Sequence, residues 1–271
     1  MQIDLIIKSG VILTVNDNDQ ILYNHSIAIN KGIIIDLIPN ESDKYTAKTI
    51  VDKTSHTLIP GLINSHTHAA MSLFKGLAED INLETWLKQH IWPAESQHVN
   101  KQFIHDGTTL AIAEMLQSGT TCFNDMYFLP DITAKASLKH NIRVALGLIV
   151  VDFATIWAKN LQEYIEKAID LYKQHNGKNL IKLILAPHAP YSVCEHSLQE
   201  VLKIAKQLNI PIHMHIHETT QETIDYIEKH GIRPLEKLDA LGMLNSKMIA
   251  VHMTDLTEKE IKRIQKTNTA R

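Results

Sequence analysis

Apolar and polar positions follow two different rhythms along this chain. Residues 1 to 57 carry short β-type runs broken by turn residues: Asp4 to Ile7, Val11 to Val15, Ser26 to Ile29 and Ile33 to Ile38. Asn30-Lys31-Gly32 lies between the last two, as a hairpin-like turn would. From residue 58 to 271 the pattern changes to apolar runs alternating with amphipathic stretches, which predicts β/α units around a parallel sheet. Six such runs stand out: Leu58 to Ser65, Thr121 to Met126, Arg143 to Val151, Leu180 to Ala186, Ile210 to His215 and Met248 to Val251. Between them, Leu198, Val201, Leu202, Ala205 and Leu208 recur at helical spacing, and Ser197-x-x-Glu200 reads as a capping box opening that helix. Thr257-x-x-Glu260 reads as a second capping box, with Ile261 and Ile264 on one face. The polar tail from Lys266 to Arg271 follows, and no seventh strand is expected there.

A complete eight-fold barrel takes about 250 residues. About 210 of the 271 residues follow the β subdomain, so the expectation is an incomplete (β/α)8 barrel of about six units. Apolar residues, 44% of the chain, suffice for a sizeable core. Lys and Arg number 27 against 30 Asp and Glu, giving a net charge of -3. No broad basic field exists to attract nucleic acid or an anionic membrane, so a small-molecule substrate fits better. No apolar run approaches the roughly 20 residues that span a bilayer. The N-terminal residues lack a signal-peptide core. Two distant cysteines, Cys122 and Cys194, suggest reduced thiols and a cytoplasmic protein.

Histidine placement changes the picture most. Pro60-Gly-Leu-Ile-Asn-Ser-His66-Thr-His68 is an apolar strand ending in two histidines two positions apart. Residues i and i+2 of a strand face one side, so both imidazoles can converge on one ion at the catalytic end of a barrel. A bare H-x-H is a weak signal, but further histidines stand at later strand ends. His213-Met-His215-Ile-His217-Glu218 closes the fifth run, and by parity its three histidines share a face. One of them is expected to be a third nitrogen ligand, and spacing alone does not choose which. Glu218 stands where a carboxylate could relay protons, although a surface carboxylate opening the next helix is the plainer reading. His188 lies between two prolines after the fourth run, and His252 closes the sixth. Packing alone explains four histidine-bearing strand ends poorly, because barrel interiors favour branched aliphatics. His25, His90, His140 and His230 fall on loops or polar helix faces and receive no role.

These residues together resemble the amidohydrolase superfamily, in particular the 5-methylthioadenosine/S-adenosylhomocysteine deaminases, near the triazine hydrolase branch. Glu84-Thr-Trp-Leu, Trp92-Pro-Ala-Glu95, Ala186-Pro-His-Ala-Pro-Tyr191 and Ala250-Val-His-Met-Thr254 carry the likeness with the two histidine clusters. The resemblance implies a metal-dependent hydrolase barrel (residues 58 to 271) with a partial β-sandwich (residues 1 to 57). It implies His66, His68 and His215 as ligands of one zinc ion, with Fe2+ as the alternative metal. It also implies Glu218 as acid/base and substrate contact, Glu95 as a ribose contact, and His188 as a further substrate contact. His252 would help orient the attacking water, and His213 and His217 remain neighbours.

The activity implied is hydrolytic deamination of an adenine nucleoside. Family members continue to a strand-eight aspartate that binds zinc, and the sequence has no counterpart. Asp125 and Asp255 are the available strand-end aspartates, and both read as structural. On sequence grounds the 271 residues alone are therefore expected to be inactive. A partner is expected as well, either a second copy or a complementing C-terminal chain. Guanine, an oxidised purine or a chlorinated triazine are the alternative substrates, and Glu95 favours a nucleoside over a bare ring.

Overall fold

The computed structural model describes residues 1–270; Arg271, the last residue of the polar tail, lies outside the described residues. Residue contacts divide the chain into two compact units that separate after Leu62.

The first unit is a sheet ordered β2-β1-β3-β4, with β5 on the other side of β1. Its strands are β1 (Gln2–Leu13), β2 (Ile21–Tyr23), β3 (His25–Asn30), β4 (Ile33–Pro39) and β5 (Thr46–Leu58). The first two expected runs are thus one strand, β1, with a register shift between Ser9 and Val11. The β3–β4 hairpin turns on Lys31 (φ 52°) and Gly32 (φ 75°), the positive-φ pair that a two-residue primed turn requires. The Asp4 carboxylate accepts the Lys31 amide at 2.7 Å and ties the turn to β1. β5 escaped the apolar reading because it is mostly polar (TAKTIVDKTSHTL) and gains its place by a long parallel ladder with β1.

The second unit is a six-stranded sheet in sequential order: β6 (Leu62–Thr67), β7 (Thr120–Tyr127), β8 (Arg143–Val150), β9 (Ile181–Pro187), β10 (Ile212–Ile216) and β11 (Met248–His252). The ladders from β7 to β11 are parallel. Sequential order follows from right-handed β/α crossovers, and the alternation of strand and helix forms an incomplete barrel of the expected α/β class. The run expected from Leu58 to Ser65 divides in two. β5 ends at Leu58, and β6 begins only at Leu62, past Pro60 and Gly61.

Helices cover the outside. Leu83–Thr85 (α1) passes through a π-helical turn, Trp86–Ile91, into α2 (Trp92–His98), and α3 (Lys101–Gln117) follows. The later helices are α4 (Pro130–Lys139), α5 (Leu161–His175), α6 (Glu195–Leu208), α7 (Thr220–His230), α8 (Pro234–Ala240) and α9 (Glu258–Thr267). α3 packs so closely on the turn after His68 that a Cβ on Gly107 would lie 2.3 Å from the Ala70 carbonyl oxygen. Among the described residues, no helix is long and apolar enough to cross a membrane.

Three details depart from the sequence expectations. α6 opens at Cys194 rather than at Ser197, which is buried and donates its hydroxyl to Asp152 at 2.6 Å; the same carboxylate accepts the Cys194 amide. A carboxylate from the end of β8 therefore caps α6 in place of the expected box. The Thr257–Glu260 box is present, but of the two isoleucines on α9 Ile264 is buried and Ile261 exposed. Finally, among the described residues the polar tail forms no seventh strand, as expected, but it touches the sheet through one isolated bridge. Ala270 makes a parallel bridge with Ile249, accepting from the Ala250 amide (2.8 Å) and donating to the Met248 carbonyl (3.0 Å).

Candidate functional site

Six imidazoles gather at the C-terminal ends of the barrel strands. The His215 Nε2 atom lies 3.2 Å from the Nε2 of His66 and 3.2 Å from that of His68. Donors about 2.0–2.1 Å from a tetrahedral zinc ion stand about 3.3 Å apart, so His215 lies at the spacing of a shared ion from each of the other two. The His252 ring stacks on His215 with centroids 5.3 Å apart, and donor atoms of His66, His215 and His252 fall within 4.8 Å of one another.

The second ring nitrogens explain why the first ones point inward. His68 Nδ1 donates to the Met126 carbonyl at 2.5 Å, and His215 Nδ1 to the His188 carbonyl at 2.7 Å. A carbonyl only accepts, so each Nδ1 must carry the proton and each Nε2 is left as a lone pair. His66 is different: its Nδ1 faces another imidazole, His213 Nε2, at 3.1 Å. Burial, reinforced by the neighbouring imidazoles, depresses His66 to about 2, and depresses His188 and His213 to about 3. The cluster is thus a set of neutral donors, which suits it to a cation.

Strand parity does not hold to the end of β10. His213 and His215 both reach the cluster, but β10 stops at Ile216, and His217 adopts a left-handed conformation (φ 51°). Its ring turns away, donating from Nδ1 to the Asp255 carbonyl at 2.7 Å and accepting the Leu235 amide at Nε2. His252 (φ 71°) and Met253 (φ 53°) are also left-handed, so backbone strain concentrates around the site.

Glu218 follows His217. Burial, with the Glu222 carboxylate second, raises its carboxyl to about 7, and an oxygen lies 3.5 Å from His252 Nε2. Glu222 also fixes the backbone here: its carboxylate accepts the Glu218 amide at 2.7 Å, and the Thr219 side chain accepts the Glu222 amide at 3.2 Å. Sequence reading missed this arrangement, although Thr219-x-x-Glu222 has capping-box spelling.

Glu95 sits on α2, half-buried, and accepts the Tyr127 hydroxyl at 2.7 Å. Burial raises its carboxyl, while the tyrosine hydroxyl opposes that shift. Tyr127 had no role in the sequence reading; the available signal was its place at the end of an apolar strand. His188 donates or accepts at Ser192 Oγ (2.8 Å), and its ring centroid is 4.9 Å from that of His215. A cavity of about 820 Å3 adjoins this region, lined by Leu83, Leu87, Trp92, Tyr191, Thr219 and Tyr226 among others. Its size falls in the range that takes small organic ligands.

Neither strand-end aspartate is a free donor. Asp125, fully buried at the end of β7, accepts the Ala69 amide at 2.7 Å and the Thr133 hydroxyl at 3.3 Å, thereby anchoring the turn that follows His68. Asp255 faces Arg233 at 3.4 Å.

Comparison with known proteins shows the family of the chain. The family model described as "Amidohydrolase family" matches residues 57–270. The 5-methylthioadenosine/S-adenosylhomocysteine deaminase of Saccharophagus degradans is 41% identical over 260 residues, covering 95% of this chain and 58% of that protein. An adenosine deaminase from Xanthomonas campestris, solved with bound zinc, superposes with a TM-score of 0.96 at 40% identity, covering 99% of this chain and 62% of that one. An atrazine chlorohydrolase from Arthrobacter aurescens, complexed with zinc, shares the fold at a TM-score of 0.88 and 17% identity, covering 98% of this chain and 64% of that one. The chain thus spans about three fifths of the length of these relatives.

Proposed function

The chain belongs to the amidohydrolase family, and from that premise we propose that it forms the metal-binding portion of a zinc-dependent deaminase of adenine nucleosides with a 5′ thioether substituent. One observation carries the reading: the His215 Nε2 lies 3.2 Å from the Nε2 of His66 and of His68, beside a half-buried glutamate raised to about 7. His66, His68 and His215 would hold the ion. When bound, zinc lowers the pKa of water toward neutrality and so supplies a nucleophile.

The remaining work falls to this chain's own side chains. Glu218, partly protonated near neutral pH, would give its proton to the purine ring nitrogen beside the carbon that bears the amino group. Water adds at that carbon, and ammonia leaves as the carbon–nitrogen bond breaks. His252, 3.5 Å from Glu218, would align the attacking water. His188 would contact the base, and Glu95, held by Tyr127, would accept the ribose hydroxyls. A glutamate placed for hydroxyls favours a nucleoside over guanine or a triazine.

A cytoplasmic location belongs to the same proposal, in keeping with the free thiols of Cys122 and Cys194. So does a partner, either a second copy or a complementing C-terminal chain. Ammonia release from 5-methylthioadenosine, adenosine and guanine by the zinc-loaded chain is the test. These 271 residues by themselves are expected to bind zinc without turnover, and turnover of the nucleosides but not of guanine is expected once a complementing C-terminal chain is supplied. Turnover of guanine alone would sink the nucleoside reading, and stoichiometric zinc binding without any turnover even then would favour a metal-binding remnant.

A further inference from the structure

We infer that His213 is the positioning residue that presents His66 to the metal, by holding His66 in the tautomer whose Nε2 is a bare lone pair. This rests on the metal site proposed above. Both rings are neutral, and each carries one N–H and one lone pair. For His66 to bind an ion through the Nε2 that faces His215, its own proton must sit on Nδ1, 3.1 Å from His213 Nε2. His213 must then accept at Nε2 and carry its proton on Nδ1.

That second atom is the notable one. His213 is 0% exposed, and its Nδ1 is buried with no hydrogen-bond partner among the described residues. A buried N–H without a partner is destabilising, so such groups are rare and ask for an explanation. An aliphatic side chain, the usual filling for an interior barrel position, would avoid that penalty altogether. An imidazole here makes physical sense as the acceptor for His66.

His68 and His215 need no such device, because the Met126 and His188 carbonyls fix their tautomers directly. His66 lacks a backbone acceptor at Nδ1, and β10 supplies one through the residue two positions before His215, on the same face. His213 thus does for His66 what a main-chain carbonyl does for each of the other two donors.

Zinc affinity, read by chelator competition on the whole chain, tests the assignment with no reference to turnover. His213→Leu removes the acceptor and is expected to weaken zinc binding about 10- to 100-fold. It should leave the melting temperature of the metal-free chain unchanged or raised, since the unpaired N–H goes with it. His213→Gln keeps a side-chain carbonyl at the right reach and should bind within about threefold of wild type. A Leu variant that binds like wild type, or a Gln variant as weak as the Leu variant, overturns the proposal. Should either substitution prevent folding, histidine ring 15N spectra of the zinc-loaded wild type decide: protonation of His213 at Nδ1 supports the role, and protonation at Nε2 overturns it. A wild-type chain that binds no zinc sinks the metal reading itself, whereas wild-type binding with an indifferent Leu variant sinks only the role of His213.

Discussion

The ends of β6 and β10 spell nearly the same thing and do different work. At the end of β6, His66 and His68 both turn an Nε2 toward His215. At the end of β10 the repeated histidines part company. His215 faces the cluster, His213 backs His66, and His217 leaves for the Asp255 carbonyl and the Leu235 amide. Spacing puts imidazoles on a face, but what each one does depends on where the strand ends and on what its second nitrogen meets. β10 ends one residue before His217, and the left-handed turn there overrides parity. At β6 the break comes after Thr67, yet Asp125 catches the Ala69 amide and keeps His68 in line.

This contrast can be broken at several points. His215 is the hub, so His215→Ala should bring the largest loss, with zinc content measured by atomic absorption falling to background. Retention of one zinc per chain would show that the remaining histidines suffice. Glu218→Gln should keep the metal and, with a complementing C-terminal chain supplied, lower nucleoside turnover by about 10^2- to 10^4-fold, the usual worth of a positioned acid/base. A change below about threefold would remove Glu218 from the chemistry.

His217→Ala should do the opposite of His215→Ala. It strips two backbone partners and should cost about 1–3 kcal/mol of stability in urea titration, with zinc affinity unchanged. Loss of zinc binding in a variant that still folds would restore the parity reading. A pH effect concerns Asp125, whose carboxyl is raised by burial from an ordinary 3.8 to about 7. Between those values the unfolded chain has released a proton that the folded chain keeps, so stability falls as pH rises from about 4 to about 7. Asp125→Asn should flatten that slope in melting curves of the metal-free chain; an unchanged slope would assign it to other groups.

Much of this was legible in the sequence, for physical reasons that also mark the gaps. The parallel strands of the barrel are buried on both faces, so β8 and β9 appear as nearly continuous apolar runs flanked by helical periodicity. β5 is exposed along most of its length and held by backbone pairing, which leaves little hydrophobic trace. The site divides the same way. Histidines at strand ends announce themselves, but the groups that aim them are backbone carbonyls at Met126 and His188, which any residue can supply. Ser197 had cap spelling and a different job, because Asp152, 45 residues away, reaches it first. Tyr127 acts on Glu95 through a contact across 32 residues that no local pattern encodes, whereas the Glu222 contact to Glu218 was spelled locally in Thr219-x-x-Glu222.

One of those carbonyls has a wider consequence. The backbone oxygen of His188 accepts both the ring Nδ1 of His215 and its amide, at 2.7 and 3.1 Å. The residue proposed to touch the base is therefore also the one that aims a metal donor. If occupancy by the base shifts that loop, zinc affinity shifts with it, and reciprocity requires zinc to change the affinity for the base by the same factor. Nucleoside and metal would then behave as two ligands with one coupling free energy, measurable by titrating either in the presence of the other.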